Sequence, residues 1–256
     1  MTAVRICNQA LIKNNQFETL TEGDLTAPVS KSAILCAELY ANCRREILRL
    51  APWTCARKRI NLVNAEWAAD TDYELDDQIA VDNEVYTCTS AGTSDSTEPA
   101  EWTDDAAVTD GTVEWTFGHT LLKAVSGDNL SPYSQAYAVP ADFIRQVNVL
   151  DSSCNEIQFV FENSILYTDD ATPILVYIYD ATDPLYWDPL LIEAVVMQLA
   201  SKLAYPLTGS HENAIAFSKS ASAMAQAAVI QTKREVRPGA TVSDSWVSGL
   251  FPERKA

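Results

Sequence analysis

"LAPWTCARKRINL", residues 50–62, sets a proline and a tryptophan between a helical run and a knot of cations, Arg57, Lys58 and Arg59. Upstream, Cys36, Leu39, Cys43, Ile47 and Leu50 recur at spacings of three and four, the period of one helix face. The pattern predicts a helix capped by Ser30 or Ser32 and running to about Leu50, with Arg44, Arg45 and Arg49 on its opposite face. Pro52 stops it, because proline forces the residue before it into extended conformations. Trp53 is expected to anchor the helix end in a core. The stretch therefore raises one question: why do six cations gather here in a chain of net charge -17?

Charge along the chain answers part of it. Residues 65–118 hold fifteen Asp or Glu and no Lys or Arg, leaving 18 basic against 20 acidic residues elsewhere. Such a break marks a separate module. Within it, short alternating runs such as "EVYTCT" and "GTVEWTF" lie between Asp, Asn, Gly and Pro turns, the pattern of a small β domain. Trp67, Trp102 and Trp115 can supply much of its core, since so small a domain is short of burial.

On either side the pattern is mixed. A short amphipathic helix is expected over about Thr2 to Ile12. Strands are expected at Ile144–Leu150, Ile157–Phe161, Ser164–Tyr167 and Ile174–Tyr179, joined closely enough for an antiparallel meander. "WDPLLIEAVVMQLASKLAYPL" predicts a helix capped by Asp188, with Pro189 in its first turn and its end before Pro206. A final helix over about Glu212 to Lys233 is rich in Ala and Ser, which lets a neighbouring helix approach closely along its length. The fold class is α+β: a helical bundle packed beside a small antiparallel β-sheet, with an inserted small all-β domain. Residues 1–63 and 121–235 make one discontinuous domain, 64–120 the inserted acidic module, and 236–256 an extended tail whose Trp246, Leu250 and Phe251 are costly to leave in water.

Catalytic signatures are missing. The chain contains no G-x-G-x-x-G, no G-x-x-x-x-G-K-[ST], no G-x-S-x-G and no H-E-x-x-H. Its two histidines, His119 and His211, stand in no recognisable context, and pairs such as Asp76/Asp77 and Asp104/Asp105 are what so acidic a segment contains by chance. No D-x-D-x-D-G calcium loop is present, and the six cysteines form no C-x-x-C pair, so free thiols and no metal or cofactor are expected. No signal-peptide pattern and no run of eighteen apolar residues occur, which leads to the expectation of synthesis in the cytosol and no membrane partner.

Four stretches carry a resemblance: "ICNQALIKNN", "AELYANCRREILRLAPWTCARKRINL", "YAVPADFIRQ" and "ATDPLYWDPLLIEAVVMQLASKLAYPLTGS". In this order they resemble the tail tubular protein A family, the head-to-tail adaptor (connector) proteins of short-tailed bacteriophages. The most specific part is the helix followed by Pro52, Trp53, Ala56 and Arg59; Trp187, Pro189, Glu193 and Ala194 support it. The resemblance implies a non-enzymatic virion protein, made in the host cytoplasm, that forms a dodecameric ring. Such a ring sits beneath the portal protein, receives the nozzle or other tail proteins on its far side, and surrounds the DNA exit channel without binding DNA specifically.

The acidic module departs from the compact pattern of that family. It resembles the small carbohydrate-binding-like domains inserted in many phage structural proteins. This gives an alternative function, glycan binding for host attachment, with Tyr73, Tyr86 and Trp102 as possible sugar contacts; for Trp67 and Trp115 the core reading is favoured. For the basic cluster, Arg44, Arg45, Arg49, Arg57 and Arg59, the expectation is pairing with carboxylates of adjacent subunits or the portal, with some of them solvated or satisfying carbonyls at the helix C-terminus. Trp246, Leu250 and Phe251 are expected to dock, on their own domain or on another subunit.

Overall fold

The computed structural model describes residues 1–63, 65–121 and 132–235. Helices α1 (Ala3–Lys13), α2 (Glu22–Thr26) and α3 (Lys31–Leu50) lead into strand β1 (Arg57–Asn61). The module follows, with β2 (Asp72–Tyr73), β3 (Gln78–Val81), β4 (Glu84–Ser90), β5 (Gly92–Thr93), β6 (Val108–Asp110) and β7 (Val113–Thr120). Strands β8 (Gln135–Ala138), β9 (Phe143–Leu150), β10 (Val160–Glu162), β11 (Ile165–Thr168) and β12 (Ile174–Tyr179) precede helices α4 (Pro189–Thr208) and α5 (His211–Glu235). The fold is mixed α and β.

Each long helix starts on a side-chain cap. Thr2 accepts from the amide of Arg5, Ser30 from Ala33, Asp188 from Leu190 and Ser210 from Asn213, each satisfying one otherwise orphaned donor. α4 packs against α1, α3 and α5, which explains why its sequence is apolar nearly all round. That composition and length would also suit a membrane span, but here Leu191, Val195, Leu199 and Leu203 are buried among the other helices. α5 buries Ala221, Ala225 and Ala228 in the helical core, and these small side chains permit the most extensive helix contact among the described residues, that with α4.

Two expectations about the helices are corrected. α4 does not end before Pro206 but runs through it to Thr208, where Gly209 in the left-handed conformation caps it by donating to Tyr205 O. Proline is tolerated because it falls in the last turn, where it removes only one backbone bond, and its own carbonyl accepts Lys31 Nζ at 2.5 Å. On α3, Arg44 lies on the buried side and Leu50 is half exposed, the reverse of the expected faces.

The expected meander is also corrected. Strands β9 and β12 pair with each other and with β1 in the order β1-β12-β9, while β10-β11-β8 forms a second antiparallel sheet. The two sheets share a core of Leu62, Tyr137, Val149, Leu166, Leu175 and Tyr177. A single meander would offer one face to that core, whereas two stacked sheets bury both inner faces. The other face of β1-β12-β9 meets the helices through Ile178, Ile144 and Val147. Among the described residues, β1-β12-β9 thus has helix side chains on one face and the core shared with β10-β11-β8 on the other.

The module has its own core of Ile79, Tyr86, Cys88, Val113 and Trp115, with Trp67, Tyr73, Trp102 and Phe117 packed around it. Its order is β3-β4-β7-β6, flanked by the β2-β5 pair. Asp82 and Asn83 both take positive φ between β3 and β4, as a two-residue type I′ hairpin requires. A small cluster of Val85, Leu121 and Ala138 joins the module to the rest.

Candidate docking surface

The basic stretch is a strand, which the periodicity did not reveal. β1 pairs antiparallel with β12, Arg57 opposite Ile178 and Arg59 opposite Val176, and it forms one edge of its sheet. On the far side of β12, Ile178 pairs with Arg145 of β9. Arg57, Ile178 and Arg145 therefore form one cross-strand row, in which two cations flank an apolar residue sunk into the helical core.

This row abuts the C-terminal end of α3. Helix ends leave carbonyls without partners, and their aligned dipoles favour cations. Trp53 is buried and donates Nε1–H to Ile47 O at 2.9 Å. Arg145 donates to Arg49 O at 3.0 Å, Arg49 to Ile144 O at 3.4 Å and Arg57 to Pro52 O at 3.4 Å. Burial, reinforced by the neighbouring Arg49 charge, lowers the Arg145 pKa. The buried Nε of Arg57 has no hydrogen-bond partner among the described residues.

The five expected contact residues separate into two groups. Arg44 and Arg45 both bind Asp180 of their own chain, so Arg44, nearly buried, is removed from the proposed interface; Arg45 keeps an exposed outer edge. Burial works to raise the Asp180 pKa, but the hydrogen bonds and charges of the two arginines outweigh it and hold the carboxyl below its usual value. Arg49, Arg57 and Arg59 form no ion pair among the described residues, and Arg49 and Arg59 are exposed. Arg145, missed in the sequence, joins them: its signal was the strand pattern of "FIRQVNVL", but its register against Arg57 depends on distant pairing. Lys58, on the other face of β1, is neutralised by Asp142 at 2.6 Å and lies 4.1 Å from the Tyr179 ring centre.

The possible sugar contacts are not brought together as a platform. Tyr86 is fully buried and donates its hydroxyl to Glu84 at 2.6 Å, so it cannot present a ring face to a sugar; its place in so small a core follows from the scarcity of other large apolar side chains. Trp102 leans on Tyr86 with ring centres 4.6 Å apart, and Tyr73 meets Trp115 edge-on at 4.8 Å. Trp115 is fully buried and Trp67 half-buried. Between module and body an open cleft of about 490 Å³ is lined by Leu62, Val63, Asp76, Asp77 and Thr172. All six cysteines are free thiols, four of them buried. Trp246, Leu250 and Phe251 lie outside the described residues.

No family model matches the chain, and no curated protein matches it.

Proposed function

We propose that this chain is a non-enzymatic structural protein of a short-tailed bacteriophage virion, a head-to-tail adaptor. It would assemble as a ring, dodecameric by the family resemblance, between the portal protein and the tail nozzle, with a helical bundle beside the sheet and DNA leaving through the lumen without specific contacts. The observation that carries this reading is the convergence of the four resembling stretches. Ile6, Cys43, Trp53, Trp187 and Leu199 come from separate resembling stretches and meet in one core, against which Ile144 of a further stretch packs, while the segment without that resemblance keeps a core of its own. An unpaired arginine surface beside the end of α3 supports a role in protein contacts, since cations without local partners favour anionic ones.

The test is assembly. The purified protein, alone and mixed with the portal protein of the same virus, should give rings or portal-bound complexes by native mass measurement and negative-stain imaging. A chain that stays monomeric and leaves the portal unbound would remove the adaptor reading.

A further inference from the structure

The chain carries two surfaces of opposite sign, and neither is neutralised among the described residues. On the module, thirteen of the fifteen carboxylates of residues 65–118 are exposed, among them Glu74, Asp76, Glu101, Asp104, Asp105 and Glu114. None of the fifteen forms an ion pair among the described residues. On the body, Arg49, Arg57, Arg59 and Arg145 cluster around the end of α3 and the β1 edge without a carboxylate partner among the described residues. Like charges at this density repel one another, and each set would be stabilised by meeting the other.

We infer that the acidic module of one copy docks on the arginine surface of the next copy of this chain. The two surfaces are different parts of the molecule, so the contact is head-to-tail, a type that closes into a ring when the rotation between neighbours closes. It names the subunit contact of the assembly proposed above and rests on that reading. Arg59 is exposed on β1, which pairs with no strand besides β12 among the described residues. Among the possible occupants, an acidic partner carried in equal number by every copy matches the surface in both charge and stoichiometry. A nucleic-acid phosphate backbone would bring its own charge against the module's carboxylates.

The experiment is a charge swap on the full chain, read by sedimentation and native mass spectrometry at low and high salt. Reversing Arg49, Arg57 and Arg59 to Glu should weaken self-association about a hundredfold or more, and so should reversing Glu74, Asp76, Glu101, Asp104, Asp105 and Glu114 to Lys. Combining both sets in one chain should restore association toward wild type, because the attraction is re-created with its signs exchanged. Neutral Gln versions of both sets, checked for native circular dichroism, control for misfolding. If the wild type assembles but reversal of the module has no effect, the inference is overturned while the adaptor reading stands. If arginine reversal abolishes only portal or DNA binding, the surface belongs to that partner and the inference is overturned. If the wild type neither self-associates nor binds portal, both fail together.

Discussion

Arg44 grips Asp180 at two points, Nε to Oδ1 at 2.7 Å and Nη2 to Oδ2 at 2.9 Å, and so ties the middle of α3 to the residue that follows β12. Arg45 adds a third bond to the same carboxylate, Nε to Oδ2 at 2.8 Å, from a side chain that is 58% exposed against 8% for Arg44. The two cations share an anion yet sit in different dielectric surroundings, so their removal should not cost the same. Arg44→Ala leaves a desolvated carboxylate half paired and should destabilise the fold by about 3 kcal/mol. Arg45→Ala removes a solvent-screened contact and should cost about 1 kcal/mol or less. Urea unfolding of the two variants checks the difference; equal losses would mean that the buried geometry does not set the strength of the pair.

Acid should reveal the same carboxylate. Its pKa is depressed in the folded chain from an ordinary 3.8, so its contribution is whole above that value and is lost as pH falls through the lower folded pKa. The stability gap between wild type and Asp180→Asn should therefore be widest near neutrality and shrink below about pH 4. Unfolding free energies of both proteins across that range provide the measurement, and a gap independent of pH would count against the assignment.

Local signals were legible in the sequence where local physics decides. Asp188 with Pro189 marked the start of α4, and the small residues of α5 marked a close helix contact, because capping and side-chain size act within a turn or two. Trp53 could be expected inside because a large ring follows a helix stop, and it is 3% exposed. What escaped was set by partners far away in the chain. "RKRIN" hides its strand because cations occupy three of its five positions and its partner β12 lies more than a hundred residues on. Arg44 could be buried only because Asp180, 136 residues later, neutralises it. The meander failed for the same reason: which strand lies beside β9 is decided by the core between two sheets, not by the length of the connecting turns. The docking surface was half legible, as cations without a partner, but Arg145 entered it only through register.

Inside the module, one carboxylate organises two tryptophans. Asp110 is buried and accepts Trp67 Nε1–H at 2.8 Å and Trp115 Nε1–H at 3.2 Å on Oδ2, with the Asp95 amide at 2.8 Å on Oδ1. Asp110→Ala would leave those donors unpaired, at about 1–3 kcal/mol for each that stays out of water. The expected result is early loss of module structure with the helices intact, read as a shift of the Trp67 and Trp115 indole signals while helical circular dichroism persists. Retention of both indole signals would show that the carboxylate is not what holds them.

Two glycines with similar backbones should respond differently to a methyl group, and the difference isolates crowding from strain. Gly209, at φ +71, caps α4 with no atom within 4 Å of where a Cβ would stand, so Gly209→Ala carries only the left-handed penalty of about 1–2 kcal/mol. Gly111, at φ +60, occupies the two-residue turn between β6 and β7, and there a Cβ would lie 2.5 Å from Thr93 O and 2.9 Å from the Asp95 amide nitrogen. Those are backbone atoms and cannot swing aside as a side-chain tip would. Moving them would also disturb the Asp95 amide bond to Asp110. Gly111→Ala should therefore cost about 2–5 kcal/mol, the penalty for the conformation together with that for overpacking. Thermal unfolding of the two variants side by side is the check. A Gly111→Ala loss no larger than that of Gly209→Ala would mean that the turn relaxes freely and is not what fixes Asp110 beneath the tryptophans.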